Sequence, residues 1–282
     1  MNTTLCGIEL EHPVINASGT FDAIAALRTF GDAVIERFPF SAFVSKTITV
    51  EPRQGNTPPR LWETPAGLIN SIGLPNKGLS GYLEHDLPVL ARLPVPLIVN
   101  VMGFTRDEVA GLELNVSCPN VESGLIMGAD PRETAALLER VRPLTAKPLI
   151  VKLTPNASDP GAVARAAEAA GADAVSLVNT LRGMALHPRT GEPWLGGRTG
   201  GVSGPAVRAI ALAQVADVAS RIEIPVVGMG GVESGGDAHD LLAAGATAVA
   251  VGTASFRDPA AGSRIWQELT ELLRKERVSE PV

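Results

Sequence analysis

Eight short apolar runs punctuate the chain: VINAS (14–18), AFVSKTI (42–48), LIVNVMG (97–103), LELNVS (112–117), LIVKLTP (149–155), AVSLVNT (174–180), PVVGMGG (225–231) and AVAVGTA (248–254). Each has the length of a strand, and between most of them the apolar spacing shifts to a helical period. DPRETAALLERVRPL (130–144) opens with Asp130 as N-cap and Pro131 at the first helical position. DPGAVARAAEAAGA (159–172) repeats the Asp-Pro start and stops at Gly171. Strands alternating with helices predict an α/β fold, a (β/α)8 barrel forming one domain over residues 1–282; an open doubly wound sheet is the alternative.

Composition supports that class. Of 282 residues, 45% are hydrophobic but only 4% aromatic, so the core must be built from Val, Ile, Leu and Ala, as in buried parallel strands. A net charge of −6 without a Lys/Arg-rich run argues against nucleic acid or an anionic membrane as partner and favours a small polar ligand. No apolar run reaches a membrane span, and MNTTLCGIELEHP lacks the cationic start and apolar stretch of a signal peptide, so a cytoplasmic protein is expected. Cys6 and Cys118 are too few for a disulfide framework, and no CxxC pair offers a metal site.

Polar residues fall where a barrel carries its chemistry. Lys46, Asn100, Asn115, Lys152 and Asn179 each lie near the C-terminal end of an expected strand. One asparagine there is an ordinary turn former; five similar placements on five strands are harder to explain so. GMGGV (228–232) and VGTAS (251–255) follow the last two strands, where barrels often bind phosphate on backbone N–H groups. Two tight strand-to-helix turns are the plainer reading of the same glycines.

Together NASGTF (16–21), SKTIT (45–49), GNTPPRLWETPAGLINSIGLPNKG (55–78), ELNVSCPN (113–120), VKLTPN (151–156), LVNTLRG (177–183), GGVSGPA (200–206), IPVVGMGGV (224–232) and AVAVGTA (248–254) resemble the dihydroorotate dehydrogenases of pyrimidine biosynthesis. The motifs span nearly the whole chain in family order. NSIGL combined with NVSCPN is the specific part; GMGGV recurs in other phosphate-binding barrels. Cys118 and the excursion LRGMALHPRTGEPWLGGRTGGVSG resemble the class 1B catalytic subunit in particular.

The resemblance implies oxidation of dihydroorotate to orotate, with a base taking the C5 proton and FMN accepting the hydride from C6. Cys118 matches the family's base; a thiol with a pKa near 8.5 is close enough to cellular pH for that work. Serine is the base in the membrane-linked class, but Ser117 here precedes the matching position. Lys46, Asn70, Asn115, Asn179 and Thr180 match the substrate contacts, since carboxamides offer the donor and acceptor pairs that a pyrimidinedione requires. The loop Ser71, Ile72, Gly73 and Leu74, with Lys46, would meet the substrate carboxylate. For FMN the matching positions are Ser18, Lys46, Thr47, Asn100, Asn115, Lys152, Val178, Gly204, Gly230, Gly231, Gly252 and Thr253. Lys152 would stand by the flavin N1 and O2 edge, where a positive charge favours the reduced cofactor.

One stretch departs from the family pattern. Only VMGFTRDEVAGLEL separates Asn100 from Asn115; Thr105 and Glu108 form a capping box, yet about two helical turns fit before the next strand. A shortened or interrupted third βα unit is expected, through a stunted helix or missing residues, missing residues being the reading preferred. Residues 49–76 and 181–204 are too long for simple barrel connections and are expected to cover the site.

The electrons must then leave. No iron–sulfur ligand set, GxGxxG fingerprint or membrane-binding extension is visible. The resemblance to class 1B implies a homodimer joined to an electron-transfer subunit carrying FAD and a [2Fe–2S] cluster, with NAD as final acceptor. The Pro in NSIGLPN is seen more often in the fumarate-dependent class 1A. A dihydropyrimidine dehydrogenase-like reductase and a non-catalytic barrel binding a phosphorylated ligand complete the alternatives.

Overall fold

The structure, a computed structural model, describes residues 2–102, 110–116 and 128–279. In chain order its strands are β1 (Thr3–Leu5), β2 (Ile8–Leu10), β3 (Val14–Asn16), β4 (Phe43–Val44), β5 (Ile48–Thr49), β6 (Leu61–Thr64), β7 (Gly67–Asn70), β8 (Leu97–Met102), β9 (Gly111–Asn115), β10 (Leu149–Lys152), β11 (Ala174–Leu177), β12 (Leu181–Gly183), β13 (Gly200–Ser203), β14 (Val226–Met229) and β15 (Ala248–Val251). The parallel order β3-β15-β14-β11-β10-β9-β8-β4, with β5 continuing β4 along β8, gives the eight staves of a barrel.

Alternation along each stave divides the core in two. Val14, Phe43, Val99, Leu112, Val151, Val175, Val226 and Val249 belong to the large cluster packed under the helices. Their neighbours Ile15, Val44, Ile98, Ile150, Ala174, Val227 and Ala248 fill the interior, as the pleat of a strand requires. Leu5, Ile8 and Leu10 of the β1–β2 hairpin join the interior cluster, so the hairpin plugs one mouth of the barrel. At the seam between β3 and β4 the Asn16 carboxamide accepts from the Val44 N–H at 2.8 Å and donates to the Val44 carbonyl at 2.8 Å, replacing a stretch of ladder.

Both expected helices form where their caps place them. Asp130 accepts from Arg132 N ahead of the helix Pro131–Val141, and Asp159 accepts from Ala162 N ahead of Pro160–Ala169. Gly171, at φ +93°, takes the left-handed turn that ends the second. No helix among the described residues is long and apolar enough to cross a membrane.

In the short third unit, β8 and β9 pair in parallel with Ile98 opposite Gly111. Thr105, Glu108 and the path between them lie outside the described residues.

The two long excursions form a structure of their own, one that composition alone does not reveal. β6 and β7 make a hairpin, β12 and β13 pair antiparallel, and β13 joins β7 with Gly201 opposite Asn70. The result is a four-stranded antiparallel sheet of order β12-β13-β7-β6. Trp62 and Trp194 pack edge to face against it, with ring centroids 4.9 Å apart.

Candidate active site

Strand ends and excursion sheet enclose one cavity of about 580 Å³, within the range of small-molecule sites. From the barrel it receives Ser18, Lys46, Thr47, Asn115, Lys152, Val178, Asn179 and Thr180; from the excursion sheet and its loop come Asn70, Ile72, Gly73 and Leu74. Gly204, Gly230, Gly231, Gly252 and Thr253 form a further wall. Residues from separate parts of the sequence thus converge on one space. Both excursions line it, so they cover the barrel mouth on which Lys46, Asn115 and Lys152 open.

Two expected residues, Ser71 and Asn100, stand apart from that wall. Cys118 lies outside the described residues, as does Ser117. Ser71 is buried behind the loop, where its Oγ accepts from Asn56 Nδ2 at 2.8 Å and its N–H bonds Arg60 O. It therefore shapes the Ile72–Leu74 turn rather than facing the cavity. Asn100 is fully buried on β8, beneath the open space.

Local bonds fix the remaining groups. Ser18 Oγ donates to Ser45 O at 2.8 Å, tying the end of β3 to that of β4. Asn115 Nδ2 donates to Thr47 Oγ1 at 3.0 Å. Asn70 Nδ2 donates to Gly201 O within the excursion sheet, and Asn156 Nδ2 donates to Thr180 O, joining the loops after β10 and β11. Thr253 Oγ1 donates to Ser203 Oγ at 2.9 Å, linking the segment after β15 to the lid. Gly201 is required: a Cβ there would stand 1.9 Å from Thr180 Oγ1. Gly230 and Gly231, at φ +130° and +74°, adopt backbone conformations that L side chains rarely take.

The electrostatics are asymmetric. Lys152 is 5% exposed, and its Nζ lies 4.0 Å from Oε1 of Glu113, itself 4% exposed. Lys46 reaches the open cavity, yet the protein crowding it lowers its pKa by burial; Asp22 opposes that shift and Arg60 adds to it. Water reaches the tip of Lys46, but its ammonium is less fully hydrated than on an open surface.

Whether a flavin suits this site can be judged from Asn100. Its Nδ2 donates to Glu113 Oε1, which fixes the carboxamide so that Oδ1 is the free acceptor. That buried oxygen has no partner among the described residues. A ring N–H would satisfy it, and the pyrimidine end of an isoalloxazine carries one. Buried cation, orphaned acceptor and glycine-built wall fit FMN.

Glu113 itself was not among the residues the motifs singled out. Its signal was its position two residues before Asn115, on the same face of an otherwise apolar strand. Leu61, Glu63, Phe256 and Arg257 also line the cavity, and none of them was among the expected site residues.

Comparison with known proteins agrees with this geometry. A family model described as dihydroorotate dehydrogenase matches residues 1–273. The chain is 42% identical over 287 residues to the "Dihydroorotate dehydrogenase B (NAD(+)), catalytic subunit" of Citrifermentans bemidjiense, an alignment covering 97% of this chain and 93% of that protein. A protein of the same name from Bacillus pumilus is 42% identical over 290 residues, covering 97% and 91%. A crystal structure of DHODH from Eimeria tenella in complex with ferulenol superposes with a TM-score of 0.79 at 23% identity, covering 98% of this chain and 85% of that one, a likeness of fold. The chain belongs to the dihydroorotate dehydrogenase family.

Proposed function

We propose that this chain is the catalytic subunit of a class 1B dihydroorotate dehydrogenase, oxidising (S)-dihydroorotate to orotate in pyrimidine biosynthesis, with NAD as final acceptor. The observation that carries the reading is one cavity: among the described residues, all those expected for cofactor and substrate except Ser71 and Asn100 open into one continuous space beneath the excursion sheet. Two flat rings can stack in such a space, which hydride transfer between them requires.

FMN, when bound, accepts the hydride from C6 of the substrate. Ser18, Thr47, Asn100, Asn115, Lys152 and Val178 would hold its ring system, with Gly204, Gly230, Gly231, Gly252 and Thr253 at its ribityl phosphate. Cys118 takes the C5 proton onto Sγ and releases it to solvent between turnovers. Asn70, Asn115, Asn179 and Thr180 pair with the pyrimidinedione, while Lys46 and the Ile72–Leu74 turn, shaped by Ser71 behind it, meet the carboxylate. The excursion sheet excludes water while both rings are bound.

Electrons then pass to a second subunit carrying FAD and a [2Fe–2S] cluster, joined to a homodimer of this chain in the cytoplasm. The names of the relatives, NAD-linked catalytic subunits, support this over the fumarate-dependent class. Steady-state assays separate the two. The isolated chain should reduce an artificial dye with dihydroorotate, and NAD only once the electron-transfer subunit is added. Rapid turnover with fumarate by the isolated chain would refute the assignment to class 1B.

A further inference from the structure

Barrel interiors are ordinarily filled by apolar layers. Here Ile98, Ile150, Ala174 and Val227 make such a layer, but the next one toward the cavity holds a carboxyl group. Glu113 stands opposite Asn100 in the β8–β9 register, and Lys152 opposite Ser176 in the β10–β11 register. The four side chains meet inside the barrel. Asn100 Nδ2 donates to Glu113 Oε1, Ser176 Oγ donates to Oε2 at 2.8 Å, and Lys152 Nζ lies 4.0 Å from Oε1. The carboxyl group of Glu113 is thus bracketed by Asn100 and Ser176, with the Lys152 ammonium beside it.

We propose that Glu113 is a positioning residue for the cofactor end of the site: it fixes the Asn100 carboxamide with its oxygen free, and it offsets the charge of Lys152. This rests on the FMN reading given above. The first role follows from the donor count. Without an acceptor at Glu113 the Asn100 amide could turn over and present a donor to a ring N–H, a clash of like groups. The second follows from burial. A lone ammonium in this layer would be costly, and its field would act undiminished on whatever lies above it. Glu113 thus holds the reduction potential of the bound flavin below the value Lys152 alone would set.

The test begins with Glu113→Gln in the FMN-loaded chain. The glutamine carbonyl can still accept from Asn100 and its amide can donate to the rotatable Ser176 hydroxyl, so the geometry is kept and the charge removed. Reductive titration against a dye of known potential should show the two-electron equilibrium shifted roughly tenfold toward reduced FMN, which is about 30 mV for this couple. A shift below about twofold, or toward oxidised FMN, overturns the charge role. The second arm needs neither cofactor nor activity. In the apoprotein, Lys152→Gln leaves a buried carboxylate without its cation, and adding Glu113→Gln should raise the melting temperature above that of the single Lys152→Gln variant. This arm decides even where Glu113→Gln alone fails to fold. A double variant melting at or below the single one refutes the pairing. Wild-type chain that cannot be loaded with FMN would instead refute the cofactor reading, and the apoprotein arm would still decide the pairing.

Discussion

Asn16 and Val44 are joined through two hydrogen bonds of 2.8 Å, one in each direction, and this pair closes the barrel between its first and second staves. A side chain here performs the work of a strand pairing, because its carboxamide offers the donor and acceptor of a peptide group. Asn16→Leu would leave the buried N–H and carbonyl of Val44 without partners. It should lower unfolding stability by about 2–4 kcal/mol, the cost of two orphaned groups, as read by urea denaturation. A loss under about 0.5 kcal/mol would mean that the seam is held by packing alone.

For Cys118 the expected outcome is a separation of binding from chemistry. Cys118→Ala should retain FMN and bind orotate, while flavin reduction by dihydroorotate in a stopped-flow experiment slows at least ~100-fold, the usual size of a general-base contribution. A near-normal reduction rate would remove Cys118 from that role.

His12 supplies a pH signature unrelated to catalysis. Its ring stacks on Trp266 with centroids 4.8 Å apart, its Nδ1 accepts from Val14 N, and burial lowers its pKa to about 4 from 6.5. The folded state therefore prefers neutral His12 while the unfolded chain protonates near pH 6.5. The stabilisation is fully present above pH 6.5 and is lost as pH falls toward about 4. Melting temperature should decline across that window, and His12→Phe, which keeps the stack on Trp266, should flatten the decline. An unchanged slope in the variant would show that other groups control acid stability.

Lys46 sets the alkaline limit of carboxylate binding. Because burial lowers its pKa, it loses its proton at a lower pH than an ordinary lysine. Orotate affinity should fall as pH rises through that lowered value, before the ordinary lysine range near 10.5 is reached. Lys46→Gln should bind weakly throughout and show no such fall; a retained pH dependence would assign it to another group.

Strand positions were legible because apolar alternation is a local signal. All eight runs coincide with a barrel strand to within a residue at its start, but most overshoot its end: LIVKLTP extends to 155 whereas β10 stops at Lys152. The overshoot is chemical, since Thr154 and Asn179 follow the strands in the loops that build the site. AFVSKTI splits into β4 and β5 because Lys46 turns into the cavity between them. The excursion sheet was not legible as a sheet, because its pairing of Asn70 with Gly201 joins segments far apart in sequence. The burial of Ser71 behind its loop was hidden for a related reason: motif position tells which loop a residue belongs to, not which side of it faces inward. Glu113 went unnoticed because its partners Asn100, Ser176 and Lys152 lie on three other strands.

The most direct measurement is the visible spectrum of the purified chain under anaerobic conditions, before and after one equivalent of dihydroorotate. Flavin absorption bands should be present, bleach on addition of dihydroorotate and persist on addition of dihydrouracil. Colourless protein that cannot be reconstituted with FMN, or flavin bleached by dihydrouracil and not by dihydroorotate, would contradict it.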